Sequence, residues 1–428
     1  MSLFQKIKSY LFNNTSAKQT IIKNTFRLLI AEGVSKGSLF LISILIARQL
    51  GPEQFGVMSF VISFVSLFIV LTDFGLTTLM VREVSRDESK LSEYFVNWNF
   101  LKIILGIITF FLVGWISQYI GKPDFYITLI LIYCGYSIIN NIGEFIRSFF
   151  RPSEDMQHEA ILKIINGIIV IAILWWALWM WYGLQGIFYA YLLSWSISLL
   201  ISLLFVIGKK TIGSLKTIRR SILISSIKNW FFICMWTIFI SMYIGIDQII
   251  LWFYNLTHDL GIYAFAYKFT LMYALGWWML FQSLWPNTSK SVNIRKYNMW
   301  IKKIANINLI LIIIIEILIF ITYKFNLLNY VGLWEYSQSL EVLSILMIYC
   351  YIEPFGYRAY LHLISIGKEK TTTLIFFISA VFNVIWNLIL IPKLSYYGAI
   401  ITTIGSYFLI FIFSHLFVKK FFRSESII

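Results

Sequence analysis

Apolar and polar positions along this chain fall in blocks, not in the short periods of surface helices or strands. Mostly apolar runs recur near 28–47, 55–75, 95–117, 125–148, 160–181, 185–207, 229–253, 260–285, 303–322, 338–365, 372–391 and 397–418. A run of roughly 20 apolar residues is what an α-helix needs to cross a bilayer. In hydrocarbon such a segment must satisfy its own backbone donors and acceptors, which a helix does. The blocks therefore predict an all-α membrane protein of about twelve transmembrane helices. The polar stretches between them are too short to hold a soluble catalytic or nucleotide-binding domain.

Charge then orients the ladder. Basic clusters and nearly uncharged turns alternate along the chain. Lys6, Lys8, Lys18, Lys23 and Arg27 precede the first run, Arg82, Arg86 and Lys90 follow the second, and Arg147, Arg151 and Lys163 surround the turn between the fourth and fifth. Lys209, Lys210, Lys216, Arg219, Arg220 and Lys228 come next, and then Lys290, Arg295, Lys296, Lys302 and Lys303. Lys368, Lys370, Lys419, Lys420 and Arg423 complete the series, whereas the intervening turns hold only Arg48, Lys122, Lys324 and Lys393. Short basic loops stay in the cytoplasm during insertion, so both termini are expected there.

Composition agrees. With 59% hydrophobic and 13% charged residues, the chain is excluded from the soluble globular class. Its net charge of +15 would suit nucleic acid, but the basic residues are spread over many short loops and form no single face. No cleavable signal peptide is expected, and Leu3, Phe4, Ile7 and Leu11 recur at the spacing of a helix lying on the inner leaflet. Cys134, Cys234 and Cys350 fall inside apolar runs and read as buried free thiols, with no disulfide and no metal. Trp175, Trp176, Trp179 and Trp181 crowd the outer end of the fifth run, as in an interfacial aromatic belt. Neither a phosphate-cradling glycine loop nor a zinc spacing occurs, so no cofactor is expected and ATP-driven transport would need a partner chain. Pro354 lies deep in the tenth run, where a kink is expected.

The chain also resembles itself. Phe55-Gly56-Val57-Met58-Ser59-Phe60 aligns on Leu260-Gly261-Ile262-Tyr263-Ala264-Phe265, and Tyr182-Gly183-Leu184-Gln185-Gly186-Ile187 aligns more weakly on Tyr396-Tyr397-Gly398-Ala399-Ile400. These matches set spans 1–2 against 7–8 and span 6 against 12. They predict parallel six-helix repeats: a bundle over 1–208, a basic cytoplasmic connector over 209–228 and a bundle over 229–428. Such duplication is typical of secondary transporters that rock about a midplane site.

Charges inside the spans are costly, ~2.5–3.5 kcal/mol each at the bilayer centre, and mark function by default. Glu32 and Lys36 stand one turn apart, followed by Gly33 and Gly37 respectively, in the order that favours an intrahelical pair. Either they neutralise each other, or Lys36 faces a wet cavity. Lys268 lies within the eighth span, and Arg358 and His362 follow Pro354 in the tenth. Three acids stand opposite: Asp247, Glu316 and Glu353. Asp247 has Lys268 as a possible structural partner, and Glu316 needs a cation from another span or a proton. Asp73, Glu144 and Arg147 lie near cytoplasmic ends, where interface solvation or gate salt bridges would account for them. Scattered cations under an apolar exterior suit the anionic headgroup of a lipid, whose charge cannot cross bare hydrocarbon.

At these residues a known family comes into view. Ile46-Ala47-Arg48-Gln49-Leu50-Gly51-Pro52-Glu53-Gln54-Phe55-Gly56 resembles the first outer loop of the polysaccharide-transport branch of the multidrug/oligosaccharidyl-lipid/polysaccharide (MOP) exporter superfamily. Leu71-Thr72-Asp73-Phe74-Gly75-Leu76, Ile246-Asp247-Gln248-Ile249-Ile250-Leu251 and Gly261-Ile262-Tyr263-Ala264-Phe265-Ala266-Tyr267-Lys268 fit that branch too, and the chain resembles its Wzx-type flippases of O-antigen or capsule repeat units. The resemblance implies two six-helix bundles around a central V-shaped cavity in the bacterial inner membrane. It implies an undecaprenyl-pyrophosphate-linked oligosaccharide as cargo, moved to the outer leaflet by alternating access, with other glycan-assembly membrane proteins as possible partners. Lys36, Lys268 and Arg358 are then the expected headgroup contacts, and Asp247, Glu316 and Glu353 the candidates for coupling to a proton or sodium ion. Asp73, Glu144 and Arg147 are the gate candidates, and Glu32 beside Lys36 departs from a purely cationic first span. Two rivals stand: a drug/cation antiporter of the same superfamily, which would want an acid-dominated cavity, and a membrane glycan polymerase or transferase. Against an enzyme, the outer turns are short and the first holds only Glu53 as an acid.

Overall fold

The chain, as a computed structural model, is described at residues 17–73, 75–77, 80, 84, 91–120, 123–150, 156–208, 231–288 and 294–425. The expected surface helix around Leu3–Leu11, the basic connector at 209–228, the Cys234 side chain and the basic residues from Arg82 to Lys90 lie outside the described residues.

Everything regular among the described residues is helical. α1 (Ala17–Asp73) breaks at Gly51, whose φ of 71° and ψ of 171° turn the chain sharply between two span-length arms. A positive φ is where glycine carries no steric penalty, and Pro52 then opens the second arm at a position whose N–H would be unpaired anyway. There follow α2 (Leu91–Gln118), α3 (Asp124–Ser148), α4 (Met156–Trp179) and α5 (Gly183–Gly208). The remainder comprises α6 (Phe231–Phe253), α7 (Thr257–Thr288), α8 (Ile294–Lys324), α9 (Gln338–Ser365), α10 (Glu369–Leu394) and α11 (Tyr396–Glu425). With α1 counted as two arms, the long helices among the described residues fall at the twelve expected positions; with α1 counted once, ten of the described helices are long and apolar enough to cross a membrane. α9 runs through Pro354 as one continuous helix.

The turns are made by residues that tolerate the left-handed region. Asn255 (φ 62°) ends α6 and Asn326 (φ 48°) follows α8, each a short polar side chain that visits this region readily. Inside the spans, hydroxyls bond back to their own helix: Ser66 to the Ile62 carbonyl, Ser137 to that of Tyr133 and Ser406 to that of Thr402. Each thereby buries a donor in hydrocarbon without leaving it unpaired.

Two compact units result. One comprises residues up to Ile42, Leu71–Lys122 and Ile127–Asn229; the other comprises Ser43–Val70, Pro123–Tyr126 and Trp230–Ile428. In the first, α4 lies along α5, and Tyr133, Tyr136, Tyr191 and Trp195 form an aromatic interior with neighbouring ring centroids 4.9–5.9 Å apart in the Tyr133–Tyr136, Tyr136–Tyr191 and Tyr136–Trp195 pairs. In the second, α9 and α10 both pack on α11, and α7 on α9. There the Phe60 ring stacks flat on Trp252, centroids 3.7 Å apart.

The second arm of α1 meets the start of α7 through the two glycines that the internal repeat aligns. A Cβ at Gly56 would stand 2.1 Å from the Thr257 carbonyl oxygen, and one at Gly261 would stand 1.8 Å from the Pro52 carbonyl oxygen. Each glycine thus admits the backbone of the segment carrying its counterpart, as small residues do where helices cross closely. Tyr336 closes over this crossing: its hydroxyl donates to the Ala47 carbonyl at 3.0 Å, and its ring meets Phe55 and Phe265.

Candidate functional site

Charged groups in the first unit form a chain of alternating sign. Lys36 Nζ lies 3.9 Å from Glu32 Oε2, and Glu32 Oε1 accepts from Lys163 Nζ. Lys163 also faces Glu159 at 3.1 Å and Glu144 at 3.6 Å, and Glu144 in turn pairs with Arg147 Nη2 at 3.1 Å. Arg147 Nη1 donates to Ser202 at 3.3 Å and to Ser198 at 3.5 Å, and its guanidinium lies over the Trp195 ring. Three helices supply the charges. The first arm of α1 gives Glu32 and Lys36 one turn apart, α3 gives Glu144 and Arg147 three residues apart, and α4 gives Glu159 and Lys163 one turn apart. α4 passes α1 at Gly167, where an added Cβ would make an ordinary 3.8 Å contact with Ser35.

The structure amends several of the expectations drawn from sequence. Arg147, expected to be solvated at the interface or set in a gate bridge, has a side chain with 0% exposure, so interface solvation does not account for it. The Glu32–Lys36 pair exists, but Lys163 is the closer partner of Glu32. Lys163 itself, which its sequence position groups with the cytoplasmic loop charges, is buried inside the unit. Lys102 escapes sequence reasoning altogether. It is buried in α2, donates to Asp73 and to Asn141 Oδ1 at 2.6 Å, and lies 4.7 Å from the Phe145 ring centroid. Asp73 also accepts from Thr77 at 2.7 Å. Lys102 lies eleven residues into α2, inside the third apolar run, so its position in a span was the available signal, while Asp73 and Asn141 are too remote in sequence to be marked as its partners.

The second unit holds its acids differently. Asp247, fully buried in α6, accepts from Tyr263 and from the backbone N–H of Gln248 at 2.7 Å, with the Thr403 hydroxyl at 3.4 Å. Lys268 is not its partner: the ammonium sits 5.0 Å from the Phe55 ring centroid, and among the described residues no ion pair joins it to Asp247. Glu353 accepts from the Trp278 indole through one oxygen, while Oε2 is buried with no hydrogen-bond partner. A cavity of about 20 Å³, bounded by Tyr243, Tyr357, Tyr360 and Tyr407 among others, lies against it. Glu316 in α8 accepts from Ser344 at 2.8 Å. Arg358 lies half-buried in α9, one turn past Pro354. Cys134 and Cys350 are buried free thiols, and among the described residues no group of His, Cys, Asp and Glu could hold a metal ion.

Twelve helical segments at the expected span positions, with ion pairs and polar chains buried among them, define a polytopic membrane protein whose fold is that of the MOP-superfamily transporters. Solved structures bear this out. A mutant MATE transporter superposes with a TM-score of 0.65 at 15% identity, over 94% of this chain and 96% of that chain. An outward-facing multidrug-resistance MATE transporter gives 0.64 at 15%, over 96% and 98%. A MOP-superfamily transporter from Pyrococcus furiosus gives 0.54 at 15%, over 93% and 96%. Residues 21–292 match the polysaccharide biosynthesis protein family, and the chain belongs to it. A curated relative, the uncharacterised membrane protein MJ1068 of Methanocaldococcus jannaschii, is 23% identical over 95% of this chain and 85% of its own length.

Proposed function

We propose that this protein flips undecaprenyl-pyrophosphate-linked oligosaccharide repeat units, of the O-antigen or capsule kind, from the cytoplasmic to the outer leaflet of the bacterial inner membrane. Both termini lie in the cytoplasm on this reading, and transport proceeds by alternating access. The observation that carries it is the set of lysines and arginines held inside span-length helices of a polysaccharide biosynthesis family member. Such cations are costly in hydrocarbon and are matched to an anionic cargo. Lys36, Lys268 and Arg358 are the proposed headgroup contacts. Lys268 is suited to this by having an aromatic face for a neighbour instead of a carboxylate.

Coupling to a proton or sodium ion falls to Asp247, Glu353 or Glu316. Glu353 is the first choice, because its buried Oε2 is left without a donor while both Asp247 oxygens are bonded. A coupling acid must exchange its partner or its bound ion between the two access states, or it shifts nothing.

The test is the leaflet distribution of the lipid-linked oligosaccharide in cells with and without the protein. Cytoplasmic-leaflet accumulation of finished repeat units in its absence is expected. An unchanged distribution overturns the reading and favours a drug/cation antiporter, which efflux assays with cationic dyes would then detect.

A further inference from the structure

A buried lysine normally needs one carboxylate, and the first unit shows such a case: Lys102 is held by Asp73, with the neutral Asn141 completing the site. Lys163 is different. Three carboxylates converge on it, those of Glu32, Glu144 and Glu159. Their exposures divide them into two kinds. Glu159 is fully buried behind the lysine, whereas the side chains of Glu32 and Glu144 are 27% and 40% exposed and cover its open side. Those same two acids also occupy the other cations, Glu32 facing Lys36 and Glu144 facing Arg147. If both swung away, Lys36, Lys163 and Arg147 would each lose a carboxylate that now faces it, while Glu159 would stay on Lys163. Arg147 adds a second sign of an unfilled anion site. Its side chain is fully buried, yet its Nε has no hydrogen-bond partner. A buried guanidinium is normally saturated by acceptors.

We propose that Lys163, together with Lys36 and Arg147, forms a diphosphate-binding site, and that Glu32 and Glu144 hold this site as built-in competing anions until a ligand displaces them. The proposal rests on the flippase reading and deepens it by naming a headgroup site confined to the first unit. The chemistry is a simple exchange. Two carboxylates leave three cations, and the oxygens of one diphosphate take their places. No net buried charge of either sign is left uncompensated, which is the condition under which buried ion groups are tolerated. The half-exposed Lys36 provides the approach, since its side chain is 51% exposed while that of Lys163 is 4%.

Such an exchange has a consequence that a merely structural network would not. Removing the two acids should tighten anion binding instead of weakening it. Full-length protein in nanodiscs would be titrated by calorimetry with undecaprenyl diphosphate and, separately, with inorganic diphosphate. For Glu32→Gln/Glu144→Gln, binding at least about tenfold tighter than wild type is expected, corresponding to ~1.4 kcal/mol. Glu159→Gln, behind the lysine and not displaced, should tighten it less than the double substitution, and Lys163→Gln should weaken it about tenfold or more. Tightening toward both ligands supports a site for the diphosphate group from either source; tightening toward undecaprenyl diphosphate alone supports a site for the lipid. Equal or weaker binding by the double variant overturns the proposal. That comparison needs no Lys163 variant, so it stands even where Lys163→Gln fails to fold. If wild type binds undecaprenyl diphosphate and none of the variants differs, this site falls and the flippase reading stands. If wild type binds neither ligand and the leaflet distribution is also unchanged, both fall.

Discussion

Gly261→Ala should destabilise the protein although it places alanine, a better helix former, in a helix. A Cβ there would stand 1.8 Å from the Pro52 carbonyl oxygen, 2.5 Å from its carbon and 2.8 Å from its Cα. All three are backbone atoms, so no rotamer change relieves the clash. Real Cβ contacts do not fall below 3.0 Å, so the second arm of α1 and the start of α7 must separate by about 1.2 Å. Separation would loosen what the crossing holds, including the Tyr336 hydrogen bond to Ala47 and the Phe60–Trp252 stack. Overpacking of this kind costs ~1–3 kcal/mol, and an unyielding backbone puts this case at the upper end. The propensity gain of alanine over glycine, ~0.8–1.0 kcal/mol in a helix interior, offsets part of it. A net loss of ~2 kcal/mol remains. Gly276 supplies the control on the same helix, because a Cβ there meets nothing within 4 Å. Gly276→Ala should be neutral or slightly stabilising, by up to ~1 kcal/mol. The assay is thermal unfolding of purified protein, with the two variants compared side by side. Gly261→Ala unfolding at or above the wild-type temperature would refute the close-approach reasoning. So would an equal fall for Gly276→Ala.

Other outcomes follow from the charged groups. Lys163→Gln leaves Glu32, Glu144 and Glu159 facing one another and should cost ~3–5 kcal/mol, the range for breaking a buried pair, seen as a lower unfolding temperature and partly restored by adding Glu159→Gln. Lys268→Ala, by contrast, breaks no ion pair among the described residues; it should abolish glycan export while membrane insertion stays normal, and normal export would remove Lys268 from the site. Tyr263→Phe deprives the buried Asp247 of its phenol donor, for a loss of ~1–3 kcal/mol in thermal unfolding; an unchanged midpoint would show that Thr403 and Gln248 suffice. Lys36→Ala should change stability by less than ~1 kcal/mol, because its pairing with Glu32 is long and half-exposed, and should act on export instead.

The class of the fold was already legible in the amino-acid sequence. A bilayer demands about 20 apolar residues per crossing and internal satisfaction of every backbone group, so length and composition alone place the helices. Gly51-Pro52 marks the turn between the first two spans, and the helices break there. The self-similarity around Gly56 and Gly261 is visible in the sequence too, although nothing in the aligned segments says that these two glycines meet at one crossing. Charges inside the spans stand out as exceptions, which is what singles out Asp247, Glu353 and Lys268.

Who partners whom emerged only with the folded chain. Asp247 and Lys268 are complementary in charge, yet the acid turns to Tyr263, Gln248 and Thr403, while the lysine turns to Phe55. Lys163 stands beside loop residues in the sequence, where it resembles a topology signal; burial against α1 and α3 makes it the centre of a charge chain. The physical reason is the same in each case. A bilayer acts on every residue of a segment alike, so its demand can be read from one segment at a time. An ion pair or hydrogen bond acts over a few ångströms, even between side chains 131 residues apart such as Glu32 and Lys163, and folding alone brings them within that reach.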